Sequence, residues 1–509
     1  MININQYTGR QRIELECSKN DFLSDVEGYL KSFMGKATNI HNRNKKEMDE
    51  IDKELRGQQA IYSKSRADGN QNINNKFTEN HTYRMWKFKT SYTVGSPIQY
   101  SNKKGNNDDM TYFNRYIQDC QKHTHDIEVY GDVYEYGVGY RMILPKTNNF
   151  DIEWESPVRD IYLDPRDTFV AYSASFDKEE LFSCIIDRYK DIKKNRVYTR
   201  YTIYYTDEND ECWSIRLNDK YLVDVNGEKQ REAYKYNPIV EYTLPKRMGI
   251  VEIASSLQNA LNYVDSLQID DIEQFIQAYI VFINQDIDLE TDEGQKAWKT
   301  QLELFQKTRA MVLKSINEQM PADFKLVSNS LEHNAINSLH DRLETAMYNI
   351  VGCPKSSGSV TSGGDTTGAR LLGNGWESAL NDSKLETTFY KNAEYKWLKF
   401  FIIECKSNKV TKLNNVLPSE IDIKYNINMS DNILVKSQAI VNLKTANMPN
   451  EMILTAVPVI SDTYGGAKNW SEHEEKIKKE EQQQNELKLS QQKKVTNNDI
   501  NDLNNKANA

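Results

Sequence analysis

Residues 249–283 read GIVEIASSLQNALNYVDSLQIDDIEQFIQAYIVFI. Leu257, Leu261, Val264, Leu267, Ile272, Phe275, Ile276, Tyr279 and Ile280 recur at helical spacing, and no glycine or proline interrupts the run after Gly249. One continuous helix over Val251–Ile283 would be roughly 50 Å long at ~1.5 Å per residue. It would carry five acids, Glu252, Asp265, Asp270, Asp271 and Glu273, and no Lys or Arg. A helix of that length and single sign of charge is not the centre of a compact globule, so its neighbours in sequence decide what it does.

On its C-terminal side, Asn284–Asn329 forms a smaller unit with an acidic lead (Asp286, Asp288, Glu290, Asp292, Glu293) and an expected strand at Ala310–Leu313. Glu332–Val351 returns to helical spacing, with Ile336, Leu339, Leu343, Met347 and Ile350 on one stripe. Then comes GCPKSSGSVTSGGDTTG, Gly352–Gly368, in which twelve of 17 residues are Gly, Ser or Thr, a composition that cannot be a regular element. A third long helical pattern covers Ala369–Phe401, with weak spots at Gly373 and Gly375 where a bend is expected. Val435–Ile460 reads as two short helices around Met448-Pro449. The charged, Gln- and Asn-rich end from Glu472 to Ala509 reads as a polar helix fraying into disorder.

On its N-terminal side, Asp21–Arg66 reads as helix, Ala67–His81 as an exposed loop, and Tyr83–Val94 as an amphipathic helix stopped at Gly95-Ser96-Pro97. Helical spacing resumes over Tyr112–Tyr130. From Gly131 to about Pro245, runs such as VYEYGVGYRMIL, LFSCIIDRYK, RVYTRYTIYYT and CWSIRL read as short strands split by turns. The chain is therefore expected to be α+β and predominantly helical. No internal repeat is present.

Composition narrows the function. Hydrophobic residues are 38% of 509 and mean hydropathy is −0.74, too polar for one large core, so solvated helices and subunit interfaces are expected. A net charge of −9 disfavours tight static binding of nucleic acid while allowing its passage. The six scattered cysteines show no metal-ligand spacing and read as reduced thiols. The first residues lack the apolar core of a signal peptide, and no run of ~18 apolar residues suggests a membrane span.

Candidate chemistry fails its own tests. GGDTTGAR (Gly363–Arg370) resembles a phosphate loop, but Ala369 and Arg370 stand where the Lys and Ser/Thr are required, and no strand precedes it. His123 and His125 diverge on a helix and read as surface residues rather than a shared metal site. Asp164-Pro165-Arg166-Asp167 and Asp286–Glu293 supply carboxylates without a nucleophile–base set. The aromatic and basic run Tyr83–Tyr100 reads as helix burial with bases outward rather than as a stacking platform. Catalytic, cofactor and metal residues are accordingly expected to be none.

The order of these elements resembles one family, the portal proteins of long-tailed phages of Gram-positive hosts. The matching stretches are TVGSPIQY (93–100), YGDVYEY (130–136, similar to a family strand), YNPIVEY (236–242) with Gly249, Ala254–Ile283, GCP (352–354), Ser362–Leu371 and Val435–Ile460. The resemblance implies a homo-oligomeric ring, commonly of twelve subunits, at one capsid vertex, with double-stranded DNA in transit through its channel. The implied partners are the terminase large subunit, the head–tail connector or adaptor, and the major capsid and scaffold proteins. The implied layout is a wing at 1–248 and 369–425, stem helices at 249–283 and 330–351, a clip at 284–329, a tunnel loop at 352–368, a crown at 426–490 and a tail at 491–509. In that layout the candidate DNA contacts are Lys355, Ser356, Ser357, Ser359, Thr361, Ser362, Asp365, Thr366 and Arg370, and the acidic candidates for the channel wall are Asp265, Asp270, Asp271 and Glu273. Deleting Ser356–Gly364 is expected to leave rings intact and block packaging. The competing readings are a nucleic-acid-processing enzyme (a nuclease or packaging ATPase) and a virion structural protein without a channel, and the helix–loop–helix around Gly352–Gly368 argues against the latter.

Overall fold

The computed structural model describes residues 9–65, 73–103, 107–146, 155–192, 195–218, 229–276, 279–283, 290–308, 315, 321–327, 333–355, 376–408, 413–425, 427, 433–457, 466 and 468–486. In chain order, β1 is Ile13–Leu15, α1 Lys19–Ser24 and α2 Val26–Leu55. After α3 (His81–Val94) come β2 (Gln99–Asn102), α4 (Asn107–Asp119) and α5 (Lys122–Tyr136). The β-rich stretch holds β3 (Val138–Pro145), β4 (Val158–Leu163), β5 (Thr168–Ser173), β6 (Glu180–Asp191), β7 (Arg196–Thr206), β8 (Glu211–Asn218), β9 (Lys229–Lys235) and β10 (Ile239–Thr243). Then follow α6 (Ile250–Ile276), β11 (Tyr279–Ile283), α7 (Asp292–Thr308), β12 (Asp323–Val327), α8 (His333–Val351) and α9 (Trp376–Ser407). The last are β13 (Ile421–Lys424), α10 (Ile433–Thr445) and α11 (Asn450–Ala456). Residues 468–486 are also helical.

The chain divides into two compact units. The larger comprises Asn5–Arg56, His81–Ser255 and Tyr348–Ala509, and the smaller Met1–Ile4, Gly57–Asn80 and Ser256–Met347. In the larger unit a six-stranded sheet runs β1-β5-β6-β7-β8-β9, with β1 parallel to β5 and every other pair antiparallel. Its inner face presents Phe169, Phe182, Ile203 and Ile215 to the apolar stripe Val26, Leu30, Met34, Ala37 and Ile40 of α2. Full burial of each such side chain contributes about 1.5–3 kcal/mol. A second sheet, β10-β3-β4, and the pair β13-β2 complete the unit's strands.

Local chemistry explains the helix ends. Ser18 Oγ accepts from Asp21 N at 3.1 Å while Asp21 returns a bond to Ser18 N, a capping box that opens α1. Asp25 breaks the run and caps α2 by accepting from Gly28 N at 3.0 Å. The single helix expected over 21–66 is thus two, and the second stops at Leu55. Gly137, at φ +80°, closes α5, and a Cβ there would meet the Arg247 carbonyl carbon at 2.2 Å.

Two expectations were wrong in type. Gly131–Tyr136 is the last turns of α5, not a strand: its aromatic and valine side chains are strand formers, yet Val133, Tyr134 and Tyr136 are all buried at helical spacing. The first long helix ends at Ile276 rather than Ile283, and Tyr279–Ile283 pairs antiparallel with Asp323–Val327. YIVFI is a short apolar β-branched run, which periodicity alone cannot separate from helix. The expected stripe on α8 is also divided, because Met347 is fully buried while Leu339 and Ile350 are exposed. The expected strand at Ala310–Leu313, the bend at Gly373 and Gly375 and the tail beyond 486 lie outside the described residues. All six cysteines are free. Among the described residues no helix is long and apolar enough to cross a membrane.

Candidate functional site

The acidic face of α6 becomes concrete in the smaller unit, where residues 57–65 and 73–80 are strapped along the helix by polar bonds. Gln258 Nε2 donates to the Glu79 carbonyl at 2.7 Å and to Asn262 Oδ1 at 2.9 Å, and Asn262 in turn donates to Gln59 Oε1. Phe77 N donates to Ser266 Oγ at 3.0 Å. Asn75 donates its backbone N–H (2.6 Å) and Nδ2 (3.0 Å) to Asp270, and Nδ2 also reaches Glu273 at 2.8 Å. Lys64 Nζ completes the clamp 2.9 Å from Asp270, lying over the Tyr263 ring.

The four acidic candidates therefore differ. Asp270 is buried and paired. Burial pushes its carboxyl up, but the Asn75 N–H and Lys64 outweigh burial and hold it below the usual carboxylate range. Glu273 is occupied by Asn75. Asp265 is buried, with Oδ1 3.5 Å from His340 Nε2 on α8. Asp271 lies one turn beyond Leu267, which with Tyr263 marks an exposed flank of α6.

Glu79, Asp265 and His340 offer ligand atoms all within 4.8 Å of one another, as do His340, Asp341 and Glu344. These are the groups among the described residues whose geometry could hold a divalent cation. The spacing of His340 and Glu344, four apart on a helix, was a sequence signal for the second. Nothing in the sequence announced Lys64 and Asn75 as partners of α6, since their segment has no periodicity.

The candidate tunnel loop is bracketed by two fixed ends in the larger unit. Gly352, at φ +67°, ends α8, and Cys353 N donates to the Tyr348 carbonyl at 2.9 Å. On the other side Trp376 packs against Phe88 and Tyr92 of α3, with ring centroids 5.8 and 6.1 Å apart. Lys89, next to Phe88, reaches Glu386 of α9 at 3.1 Å, and a Cβ on Gly352 would lie 3.6 Å from its Nζ. Both ends of the loop thus seat on the same turn of α3. This also corrects the expectation that α3 turns its bases outward: Arg84 and Lys87 are exposed, but Lys89 is buried to neutralise Glu386. Of the loop candidates, Lys355 falls among the described residues, half-buried. Ser356, Ser357, Ser359, Thr361, Ser362, Asp365, Thr366 and Arg370 lie outside them.

Of the carboxylates weighed for a nuclease, those at Asp164–Asp167 form ion pairs, while Asp286 and Asp288 lie outside the described residues. Arg166 grips Asp164 through its backbone N–H, Nε and Nη2 at 2.8–3.1 Å, and Lys45 holds Asp167 at 2.7 Å. His125 points away from His123, donating or accepting at 3.0 Å with Asp160.

The centre of the larger unit is ionic. Lys122 sits 2.8 Å from Asp126 and 2.7 Å from Glu394, and Arg141 pairs with Asp126 and, at 3.5 Å, with Asp160. Trp397 Nε1 donates to Asp160 at 2.9 Å, while Tyr100 and Tyr242 donate to Glu394. Lys122 lies 4.4 Å above the Trp397 ring. A cavity of about 680 Å³ walled by Ile98, Tyr100, Asn114, Gln118 and His123 adjoins it. These charges pair with one another, so the arrangement fixes α5, β3, β4 and α9 together.

Long helices, a clamped acidic arm, a loop whose described flanks seat on α3 and a buried ionic centre define a protein of α+β class, predominantly helical. The family model described as "Phage portal protein, SPP1 Gp6-like" matches residues 35–487, and the chain belongs to that family. No curated protein matches the chain. Solved structures similar to it include a chain of the virion of a native gene transfer agent particle (TM-score 0.40, 12% identity, 74% of this chain and 89% of that one). Two neck structures of such particles are also similar. For the neck of the empty particle, computed with C6 symmetry, the TM-score is 0.39 at 11% identity over 75% and 91% of the two chains. For the neck of the native particle, computed with C12 symmetry, it is 0.38 at 13% identity over 74% and 89%.

Proposed function

We propose that this phage portal protein assembles into a closed ring, commonly of twelve copies, at one vertex of the capsid. Double-stranded DNA passes through the ring's channel during packaging and ejection. The observation that carries the reading is the family match, which runs through both compact units. The terminase large subunit docks first and a head–tail connector later, with the major capsid and scaffold proteins around the ring. The order of motifs favours a long-tailed phage of a Gram-positive host. The wing spans 1–248 and 369–425, the stem 249–283 and 330–351, the clip 284–329, the tunnel loop 352–368 and the crown 426–490.

A channel that passes DNA both ways must not grip it, because each basic contact would release counterions and hold the polymer. Asp271, half-buried beside the exposed flank of Tyr263 and Leu267, is the strongest candidate for a repulsive wall group. Asp270, neutralised by Lys64 within its own subunit, is the weakest, and Asp265 and Glu273 are partly engaged by His340 and Asn75. Lys355 and Arg370, at the two ends of the loop, are the proposed phosphate contacts. The Gly, Ser and Thr residues between them touch the backbone without reading bases.

Deleting Ser356–Gly364 tests the proposal, because both ends of the loop are anchored on α3. Rings of normal mass should form, and DNA-filled heads should be lost in a packaging assay. Normal filling by the deletion variant would remove the loop from the mechanism.

A further inference from the structure

The antiparallel order of the six-stranded sheet sorts its turns to two ends. The β5–β6 and β7–β8 turns lie at one end and the β6–β7 turn at the other. β6 has 12 residues, so the ends are roughly 35–40 Å apart at ~3.3 Å per residue.

The turns themselves differ in sign between the two ends, although Lys19, Lys396 and Lys399 line a pocket with Glu180 and Asp210 at the first and Lys235 lies opposite Glu211. At the first, the turns read SASFDKEE (173–180) and TDENDE (206–211). Asp177, Glu179, Glu208 and Asp210 are exposed there, and the nearby Lys178 is already paired with Glu14 at 2.6 Å. Asp21 and Asp25 join this end, because Phe22 of α1 stacks on Phe182 at the start of β6. At the other end, residues 188–196 read RYKDIKKNR, five bases and one acid in a chain of net charge −9. Lys190 is exposed, and the Arg188 side chain is 55% exposed, reaching only as far as 3.6 Å from Asp167.

Each end also shows apolar groups that water covers in a single chain. Phe176, at the acidic end, is 99% exposed, and Ile192, at the basic end, is 88% exposed. Val197 is exposed beside Ile192, and the adjacent Tyr189 and Tyr198 rings stack at 5.7 Å. Apolar anchors within opposite fields are the ingredients of an association that is steered and registered by charge and held by burial. A surface whose two halves differ cannot pair with itself across a two-fold axis. It suits a heterologous, head-to-tail contact, which closes into a ring when the rotation allows.

We propose that the basic β6–β7 hairpin of one copy seats on the acidic β5–β6 and β7–β8 turns of the next copy. This makes the sheet the lateral joint of the ring. The inference rests on the ring reading above and adds its polarity and its contacting residues. A second copy is the occupant because the complementary surface is part of the same chain, at the far end of the same strands. The hairpin's bases could also meet duplex DNA, and the test separates the two.

Two full-length variants serve. The first, Arg188→Glu with Lys190→Glu and Arg196→Glu, leaves four acids and two bases in residues 188–196, so both ends are acidic. The second, Asp177→Lys, Glu179→Lys, Glu208→Lys and Asp210→Lys together, leaves five bases and three acids in the two turns, so both ends are basic. Native mass spectrometry and sedimentation at low salt should show loss of the ring species for each variant alone. An equimolar mixture should regain rings in which the two variants alternate, because each hairpin then faces an end of opposite charge. Misfolded variants could not rescue each other. Wild-type rings should also loosen as salt rises and the screening length falls from about 10 Å at 0.1 M toward 3 Å at 1 M. Rings from each variant alone would overturn the joint, and so would two deficient variants that fail to co-assemble. Rings from the first variant that had merely lost affinity for duplex DNA would assign the hairpin to DNA instead. A wild-type chain that forms no ring at any salt concentration would remove the ring reading itself along with the joint.

Discussion

Two long helices of this protein solve burial in opposite ways. In the larger unit, α9 turns Tyr390, Glu394, Trp397 and Phe401 wholly inward, charge and ring together, and shows Leu385 and Phe389 to solvent. In the smaller unit, α6 uses amides, a hydroxyl and a carboxylate (Gln258, Asn262, Ser266, Asp270) to hold the strap residues 57–65 and 73–80, while Tyr263, Leu267, Ile269 and Ile272 are exposed. Around α9, mutual pairing of buried charges fixes one geometry without help from outside the chain. Around α6, polar groups do the internal fastening, and apolar side chains stay exposed among the described residues.

The largest expected effect breaks the α9 centre. Glu394→Ala leaves Lys122 with Asp126 as its remaining carboxylate partner and takes the acceptor from the Tyr100 and Tyr242 hydroxyls. Removing one partner from a buried ion pair costs about 3–5 kcal/mol, so the urea midpoint of the larger unit should fall by a corresponding amount. A loss under 1 kcal/mol would show that the centre is dispensable.

Lys64→Met should cost less, about 2–3 kcal/mol, because Asn75 still donates to Asp270. Hydrogen exchange should quicken over the described part of 57–80 and leave β5–β8 unchanged. Quickening in both places would mean that the strap is not a local fastening.

A subtler contrast lies in pH. Burial, with Asp52 adding to it, pushes Glu135 in the larger unit up to about 7. A carboxyl raised in the fold binds its proton more tightly there than in the unfolded chain. Its contribution is complete below the ordinary value of 4.5 and is lost as pH rises through about 7. Asp270 behaves oppositely: its carboxyl is lowered, so its contribution is complete above its ordinary 3.8 and is lost on acidification through its folded value. Stability followed from pH 4.5 to 7 should fall less steeply in Glu135→Gln than in the wild type, whereas Asp270→Asn should flatten only the acid limb below pH 4. An unchanged slope in Glu135→Gln would place the proton elsewhere.

Much of this was legible in the sequence, for physical reasons. The long helices α6, α8 and α9 declare themselves because their apolar residues recur over many turns, and the Gly/Ser/Thr run between α8 and α9 is unmistakable. What failed was type over short apolar runs: VYEY and YIVFI consist of strand formers, and tertiary packing made one the end of a helix and the other a strand. The site was less legible. Asp270 and Asp271 are neighbours in sequence, yet about 100° of helical rotation buries one against Lys64 and leaves the other on the flank of Leu267. The ionic centre was hidden for a similar reason, since Lys122, Arg141, Asp160 and Glu394 come from four elements and share no motif. The basic hairpin was masked by the overall charge of −9, an average over a chain whose sheet ends differ in sign.

The most direct test of the central claim is single-particle electron microscopy of the purified full-length protein, with mass determination on the same sample. The account predicts closed rings of one subunit type around an axial channel roughly 20 Å or more across, enough for a duplex whose major groove alone is ~12 Å wide. A protein that stays monomeric at every concentration and salt tried, or rings whose centre is closed to duplex DNA, would contradict it.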